Sequence, residues 1–451
     1  MIRSWFTRGV LVVVAAVLSS AVMASAGDTP QGLIERRDGA SPGYTLFAPD
    51  ELQRTYLVDL DGEIVHTWEH STHPGQSQYL LPGGRLLRAG DEKRGERFQR
   101  GRGGGGVVEE LTWGGDVVWR FVYSNDRHRQ HHDIEPLPNG NVLMIAWEYM
   151  SRDDAIAAGR RPNLLSSGEL WPDTIVELDP SSQEIVWKWR IRDHLVQDHD
   201  PSLPNYGVVA DHPEKIDVNY TFGDHGGADW THVNSVAYDP TLDQIVMSVR
   251  QFSEIWVVDH ATTTREARGP AGDLLFRYGN PETHERGDGR SQELFTQHDA
   301  KWQRAVDGSV SFLVLNNGQK GKREYTSVDE IHPVLDGRRY ALGPDGRFEA
   351  TLSRVYPRDD HRARRFFAFN TSGAQRLGDG NVLITDGPHG RIFEVDPAGT
   401  VVWAYENPHF DEIPSEPSRS GSGYVIDPWR LFRAERYPPD HPGLVRLRDR
   451  G

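Results

Sequence analysis

The sequence predicts an all-β chain folded as a six-bladed β-propeller of four-stranded antiparallel blades. Three observations carry that prediction. A short unit, a turn followed by apolar residues and an aromatic one, recurs six times. A hairpin-forming unit recurs beside it, and helical periodicity is almost absent between the two.

The first copy of the unit is Asp61-Gly62-Glu63-Ile64-Val65-His66-Thr67-Trp68, and the second is Gly114-Gly115-Asp116-Val117-Val118-Trp119. Gln183-Glu184-Ile185-Val186-Trp187 and Ala271-Gly272-Asp273-Leu274-Leu275-Phe276 are the third and fourth. Pro344-Asp345-Gly346-Arg347-Phe348 is a weak fifth copy, and Ala398-Gly399-Thr400-Val401-Val402-Trp403 is the sixth. The companion unit is a hairpin turn: Leu81-Pro82-Gly83-Gly84, Leu137-Pro138-Asn139-Gly140 and Leu377-Gly378-Asp379-Gly380 each precede an apolar strand. Asn-Gly and Asp-Gly supply the positive φ angles that tight turns need. Tyr238-Asp239-Pro240-Thr241-Leu242-Asp243 fills the same place in the third blade. Strand–turn–strand units at this spacing give antiparallel blades rather than βαβ units. A β-sandwich is the alternative fold, but it does not explain six copies of one unit. Tryptophans of the unit, such as Trp119 and Trp403, are expected to pack between blades.

Two stretches interrupt the period. Ser151–Trp171 is Ala-rich and suits a short helix, and Asp193–Gly227 is a long loop rich in Pro, Gly and His. Such loops sit over one face of a propeller and shape its pocket.

Residues 1–26 read as a signal peptide: Arg3 and Arg8, an apolar run from Val10 to Val22, then Ala24-Ser25-Ala26 before Gly27. The run is short for a spanning helix. Residues 27–451 are therefore expected to be one propeller domain, periplasmic or secreted. Its repeats run from about 43 to 407, with the C-terminal segment completing or flanking the ring. The chain has 50 basic and 66 acidic residues, for a net charge of −16, two more negative without Arg3 and Arg8. That surface argues against nucleic acid and anionic membranes as partners, and no stable membrane association is expected after cleavage. An anionic substrate would need a local basic site. Cysteine is absent, which excludes disulfides, zinc–thiolate sites and thiol nucleophiles.

The innermost strand of each blade faces the axis, so one repeat position forms a ring of side chains. That position, five residues before the hairpin turn, carries His132 in blade 2, with His232 in blade 3 and His298 in blade 4. Blade 1 places Gln76 there and the last unit Ser372. Three histidines on one ring read as a site, although repeat proteins also reuse residues for packing. Three imidazoles on converging strands also suit zinc or copper, but no short metal-ligand motif accompanies them.

Several segments resemble the bacterial arylsulfate sulfotransferase family. They are Gly43-Tyr44-Thr45-Leu46-Phe47-Ala48-Pro49, His131-His132-Asp133, Asp229-Trp230-Thr231-His232-Val233-Asn234-Ser235, Ser248-Val249-Arg250 and Gln297-His298-Asp299-Ala300. The similarity runs from about Gly43 to Asn407, and His-x-Asn with Arg250 eighteen residues after His232 is its most specific part. The resemblance implies a periplasmic six-bladed propeller that needs no adenosine-phosphosulfate donor and no cofactor. It implies transfer of a sulfuryl group from an aryl sulfate to a phenol, both small molecules, and it assigns no metal. By motif position the family's catalytic residues fall on His132, His232, Arg250 and His298, with His298 the histidine that is transiently sulfurylated. Asn234 matches a substrate-contacting position. The sequence departs from the best-known members in lacking their N-terminal β-domain and their cysteine pair.

The chemistry suits those residue types. Sulfuryl transfer needs an in-line nucleophile and stabilised equatorial oxygens. Neutral imidazole supplies the first and a permanently charged arginine the second. Arg250 is expected to keep the histidines neutral, while His132 and His232 donate hydrogen bonds and one of them handles the phenolic proton. Trp230, Phe252, Phe295, Tyr44 and Trp147 lie beside the motifs and are candidates for an aromatic wall. The alternative reading is a non-catalytic or metal-binding propeller with an axial histidine cluster. The natural donor and acceptor, the acid–base histidine and the oligomeric state are not specified at this level.

Overall fold

The computed structural model describes residues 32–101, 103–223, 227–359, 365–409 and 430–448, with the backbone at 418–419 and 425–426. The leader assigned to residues 1–26 lies outside the described residues. The described chain forms six antiparallel blades, the first five laying down four strands from the axis outward in chain order. Blade 1 runs from an inner strand Pro74–Leu81 to an outer strand Val117–Val122, and blade 2 from His128–Pro136 to Glu184–Arg190. Blade 3 runs from Val233–Asp239 to Phe276–Tyr278, and blade 4 from His298–Arg304 to Ala350–Tyr356. Blade 5 runs from Gly373–Arg376 to Val401–Glu406 and adds Gly32–Arg36 as a fifth, outermost strand.

Blade 6 closes the ring with strands from both ends of the chain. Its inner strand, Leu431–Tyr437, pairs with Tyr44–Pro49, placing Leu46 opposite Glu435, and Ile64–Glu69 lies at the rim. Each inner strand contacts the next around the circle, so blades 1 and 4 stand opposite one another, as do 2 and 5, and 3 and 6.

The recurring sequence unit is the fourth strand of a blade, counted from the axis, together with the turn before it. Two copies deviate. Ala271-Gly272 belongs to a 3₁₀ turn, Pro270–Gly272, ahead of the short strand Phe276–Tyr278. Asp345-Gly346 turns within an insertion, and the outer strand of blade 4 begins just after it at Ala350. The insertion is held because Tyr340 and Phe348 pack on Phe276 of blade 3, at 4.8 and 5.7 Å between ring centroids. The Ala-rich stretch does form a helix, Arg152–Ala157, whose first turn is capped by Ser151 Oγ accepting from Asp154 N–H at 3.1 Å.

Hydrophobic clusters fill the wedges between blades. Trp403 is fully buried among Phe47, Tyr56, Leu431 and Ile392 of blades 5 and 6, and its indole N–H donates to Leu60 C=O at 2.9 Å. Trp119 packs against the cluster joining blades 1 and 2 and donates to Glu110 at 2.9 Å. Burying each indole stabilises the wedge, and truncating one fully buried would cost about 3–5 kcal/mol.

Candidate active site

The inner strands carry the feature that aims side chains at the axis. Pairing with the second strand slips between Pro74 and Gln78, Met144 and Ala146, Val233 and Ser235, and His298 and Lys301. These are β-bulges, which re-aim a side chain while the ladder continues. Within or beside them the backbone is left-handed at Gln76 (φ 92°), His132 (54°), His232 (52°) and Asp299 (56°). Such angles cost about 1–3 kcal/mol at a non-glycine residue and persist because the surrounding sheet enforces them.

His132, His232, Arg250 and His298 all line one cavity of about 1570 Å³ at the axis. Arg250 follows the second strand of blade 3, and its backbone N–H donates to His232 C=O at 3.2 Å. The His132 and His232 rings stand edge to face with centroids 4.7 Å apart.

Each histidine is held through Nδ1. His298 Nδ1 lies 2.7 Å from Asn317 Oδ1, and the Asn317 amide donates to Ala368 C=O at 2.6 Å and Thr371 C=O at 3.0 Å. Those two carbonyls fix the amide so that oxygen faces His298, which must carry its hydrogen on Nδ1. Nε2 is then the unprotonated nitrogen left for the cavity. His232 Nδ1 lies 2.5 Å from Asp229 Oδ2, while Asp229 Oδ1 accepts the Trp147 indole N–H at 3.0 Å. His132 Nδ1 lies 2.8 Å from Nδ1 of His131.

Burial, and next the Arg250 charge, lower His298 to about 3, against the pull of the Asn317 hydrogen bond. His132 is pushed well below the usual imidazole range by burial, then by His232, His131, His298 and Arg250. Desolvation thus exceeds the arginine as the reason these rings stay neutral, a refinement of the sequence expectation. Burial alone would raise Asp229, but His232 and its hydrogen bond outweigh that and hold the carboxyl below its ordinary value.

Several sequence expectations need correction. Asn234 does not line the cavity; its amide donates to Gln297 C=O at 2.8 Å and so steadies the residue before His298. The bulge at the start of its strand turns it toward the neighbouring blade. Ser372 is fully buried, accepting Gly387 N–H at 2.9 Å, and the cavity is lined instead by its neighbour Thr371. Of the proposed aromatic wall only Trp230 reaches the cavity, joined by Trp171 and Phe222. Phe252 and Trp147 are fully buried, the latter in the cluster with Phe98 and Trp171, because their blades use them as core. Tyr44 and Phe295 are also absent from the wall.

Other contributors carried weaker signals. Gly103 lies over His132, where a Cβ would approach the ring to 2.4 Å, and the run of glycines from 103 to 106 is the trace of that close approach. Asp229 stood in the motif without a role, while Asp173 and Asn317 had no local signal at all. Asp133 and Asp299, beside the histidines, orient no imidazole. Both pair with Arg433 of blade 6, whose guanidinium donates to Asp133 at 2.6 and 2.9 Å and to Asp299 at 3.1 Å. Among the described residues, no three His, Asp or Glu side chains are arranged to hold a metal ion.

The arylsulfotransferase (ASST) family model matches residues 36–393, four-fifths of the chain and all four residues of the axial cluster. The chain belongs to the arylsulfotransferase family. This family member is 22% identical over 395 residues to arylsulfate sulfotransferase AssT of Escherichia coli O6:H1, a match covering 79% of this chain and 61% of that protein. The chain thus spans under two-thirds of that relative's length. Among solved structures, a Bacteroides caccae protein of unknown function is 14% identical with a TM-score of 0.44, covering 83% of this chain and 97% of that one. Virginiamycin B lyase of Staphylococcus aureus is 10% identical with a TM-score of 0.36, covering 82% and 86%. Similarity at that level bears on neither site nor reaction.

Proposed function

We propose that this arylsulfotransferase moves a sulfuryl group from an aryl sulfate ester to a phenolic acceptor through a sulfohistidine on His298, with no nucleotide donor. The observation that carries the reading is the His298 imidazole: hydrogen on Nδ1, locked by Asn317, and a lone pair on Nε2 at a cavity that Arg250 also lines. An unprotonated imidazole is a competent nucleophile, and a covalent intermediate divides one difficult displacement into two easier ones. Arg250 supplies the local positive charge that an acidic protein needs to hold a sulfate ester. Trp171, Trp230 and Phe222 offer the aryl group an apolar wall. His132 and His232 flank the reacting centre and are the groups available to move the phenolic proton. The leader at 1–26 would deliver the enzyme to the periplasm or beyond, with a mature N-terminus at Gly27.

The test is to mix purified protein with an aryl sulfate alone, quench, and map the adduct by peptide mass spectrometry. One sulfuryl group is expected on the peptide containing His298, discharged when phenol is added. His298→Ala is expected to lower turnover by about 10⁴-fold or more. Turnover that persists in that variant would sink the covalent mechanism.

A further inference from the structure

Behind His132 runs a chain of hydrogen bonds in which each step dictates the next. Asp173 Oδ2 accepts the Thr231 hydroxyl at 2.5 Å and the Val233 N–H at 2.9 Å, and Oδ1 lies 2.7 Å from His131 Nε2. Three donors on one buried carboxylate leave it an acceptor, so His131 donates through Nε2. A neutral imidazole has a single N–H. His131 Nδ1 is therefore a lone pair, and His132 Nδ1, 2.8 Å away, carries the hydrogen between them. His132 must then present Nε2 to the cavity as an acceptor. The donor role expected from sequence is reversed in the resting site.

The two imidazoles differ in what surrounds them. His132 faces His232, His298 and Arg250, all of which oppose a positive charge on it. His131 sits one ring farther from the cavity, fully buried. Burial holds it below the usual imidazole range, but the Asp173 hydrogen bond and charge and the Asp229 charge offset part of that cost, a compensation His132 lacks, with His232 opposing. The Trp147 indole covers its face at 3.9 Å between centroids and holds the ring in place.

We infer that Asp173 and His131 form a proton relay through which His132 takes the acceptor's proton without keeping the charge. The inference rests on the sulfotransferase reading of the site. In the acceptor half-reaction the phenol O–H breaks and its proton goes to His132 Nε2. The phenolic oxygen bonds to sulfur as the bond from sulfur to His298 Nε2 breaks, and that electron pair returns to His298. The hydrogen on His132 Nδ1 moves to His131 Nδ1, while the hydrogen on His131 Nε2 remains on nitrogen, donated to Asp173 Oδ1. His132 ends neutral, and the new imidazolium lies against a carboxylate. Run in reverse, the relay returns the proton to a departing phenolate. His131 and Asp173 touch no substrate and are positioning residues acting through His132.

Asp173→Asn in the mature chain tests this with 4-nitrophenyl sulfate as donor. The burst of nitrophenolate, which reports sulfuryl transfer to His298 and needs no proton, is expected to stay within about threefold of wild type. Turnover with phenol as acceptor should fall about 10²–10³-fold, the usual loss of general base catalysis. A fluorinated phenol already ionised at the assay pH should restore turnover to within about threefold. Equal deficits for the two acceptors, or burst and turnover falling together, would overturn the relay. In the wild-type protein, the rate with phenol in H₂O–D₂O mixtures should curve with deuterium content because two protons move together. A straight line would also overturn it, whatever the variant does. Absence of any burst in wild type would instead remove the sulfohistidine reading on which the relay stands.

Discussion

Two levels of the same axis, one residue apart in sequence, treat charge in opposite ways. His132 and His298 line the open cavity, and the next residues, Asp133 and Asp299, are closed onto Arg433. At the closed level both carboxylates are satisfied from within: Asp133 also accepts Val236 N–H at 3.1 Å, and Asp299 accepts Ala374 N–H at 2.9 Å. At the open level the Nδ1 atoms are tied and the Nε2 atoms are left to the cavity. A paired and hydrogen-bonded ionic cluster is inert, and it staples blade 6 to blades 2 and 4. Imidazoles fixed on one side and free on the other are poised to bind and react. The difference teaches that burial alone does not make this axis a site; the unsatisfied face does.

The largest effect that would break the comparison comes from the closed level. Arg433→Met should cost about 3–5 kcal/mol by stranding two buried carboxylates beside each other. Urea unfolding should show a lower midpoint with an unchanged slope, while the folded fraction retains near-normal turnover. Lost turnover at unchanged stability would mean that the two levels are not separate. Arg250→Lys sharpens the comparison from the open side. It keeps the charge but loses the planar fork that matches sulfate oxygens. The expected loss is about 10²-fold in kcat/KM, near 2.7 kcal/mol, with stability changed by less than about 0.5 kcal/mol. An equal fall in stability would assign Arg250 to structure.

The fold was legible because a propeller repeats its evidence: the turn before the fourth strand recurs in all six blades and a recognisable hairpin after the inner strand in four of them, so a weak copy such as Asp345-Gly346 could be placed by its neighbours. The axial histidines were legible for the same reason, since one repeat position maps to one ring. The supports behind them were not. Asp173 reaches His131 from the next strand but one of the same blade, 42 residues away, and Asn317 reaches His298 from 19 residues away. Neither partner stands in a local motif. The bulges had a further consequence. The one at the start of its strand turns Asn234 from the cavity, while in blade 5, whose inner strand keeps its register, a left-handed backbone at Thr371 and Ser372 accompanies the placing of Thr371 rather than Ser372 at the cavity. Strict alternation along a strand does not anticipate such a shift.

The smallest effect, taken per pH unit, separates the levels by pH. His298 lies near 3 in the folded protein against 6.5 ordinarily, so between those values the unfolded chain binds a proton that the folded chain refuses. Its contribution is intact above about pH 6.5 and is lost as pH falls, at about 1.4 kcal/mol per unit. Glu135, at the end of the axis beyond Asp133, behaves oppositely. Burial first, then the Asp133 charge, raise it to about 8 from 4.5, so the folded chain holds the extra proton. Its contribution is intact below about pH 4.5 and is lost as pH rises toward 8. Between pH 4.5 and 6.5 the two slopes cancel. Unfolding free energies across pH for wild type, His298→Asn and Glu135→Gln isolate each term by difference. The gap between wild type and His298→Asn should change only on the acid side of pH 6.5, with wild type losing ground as pH drops. The gap to Glu135→Gln should change only between pH 4.5 and 8, with wild type losing ground as pH climbs. A gap that stays flat across pH for His298→Asn would mean that its imidazole is no more buried from protons than one in open solvent, and the neutral nucleophile would lose its physical basis.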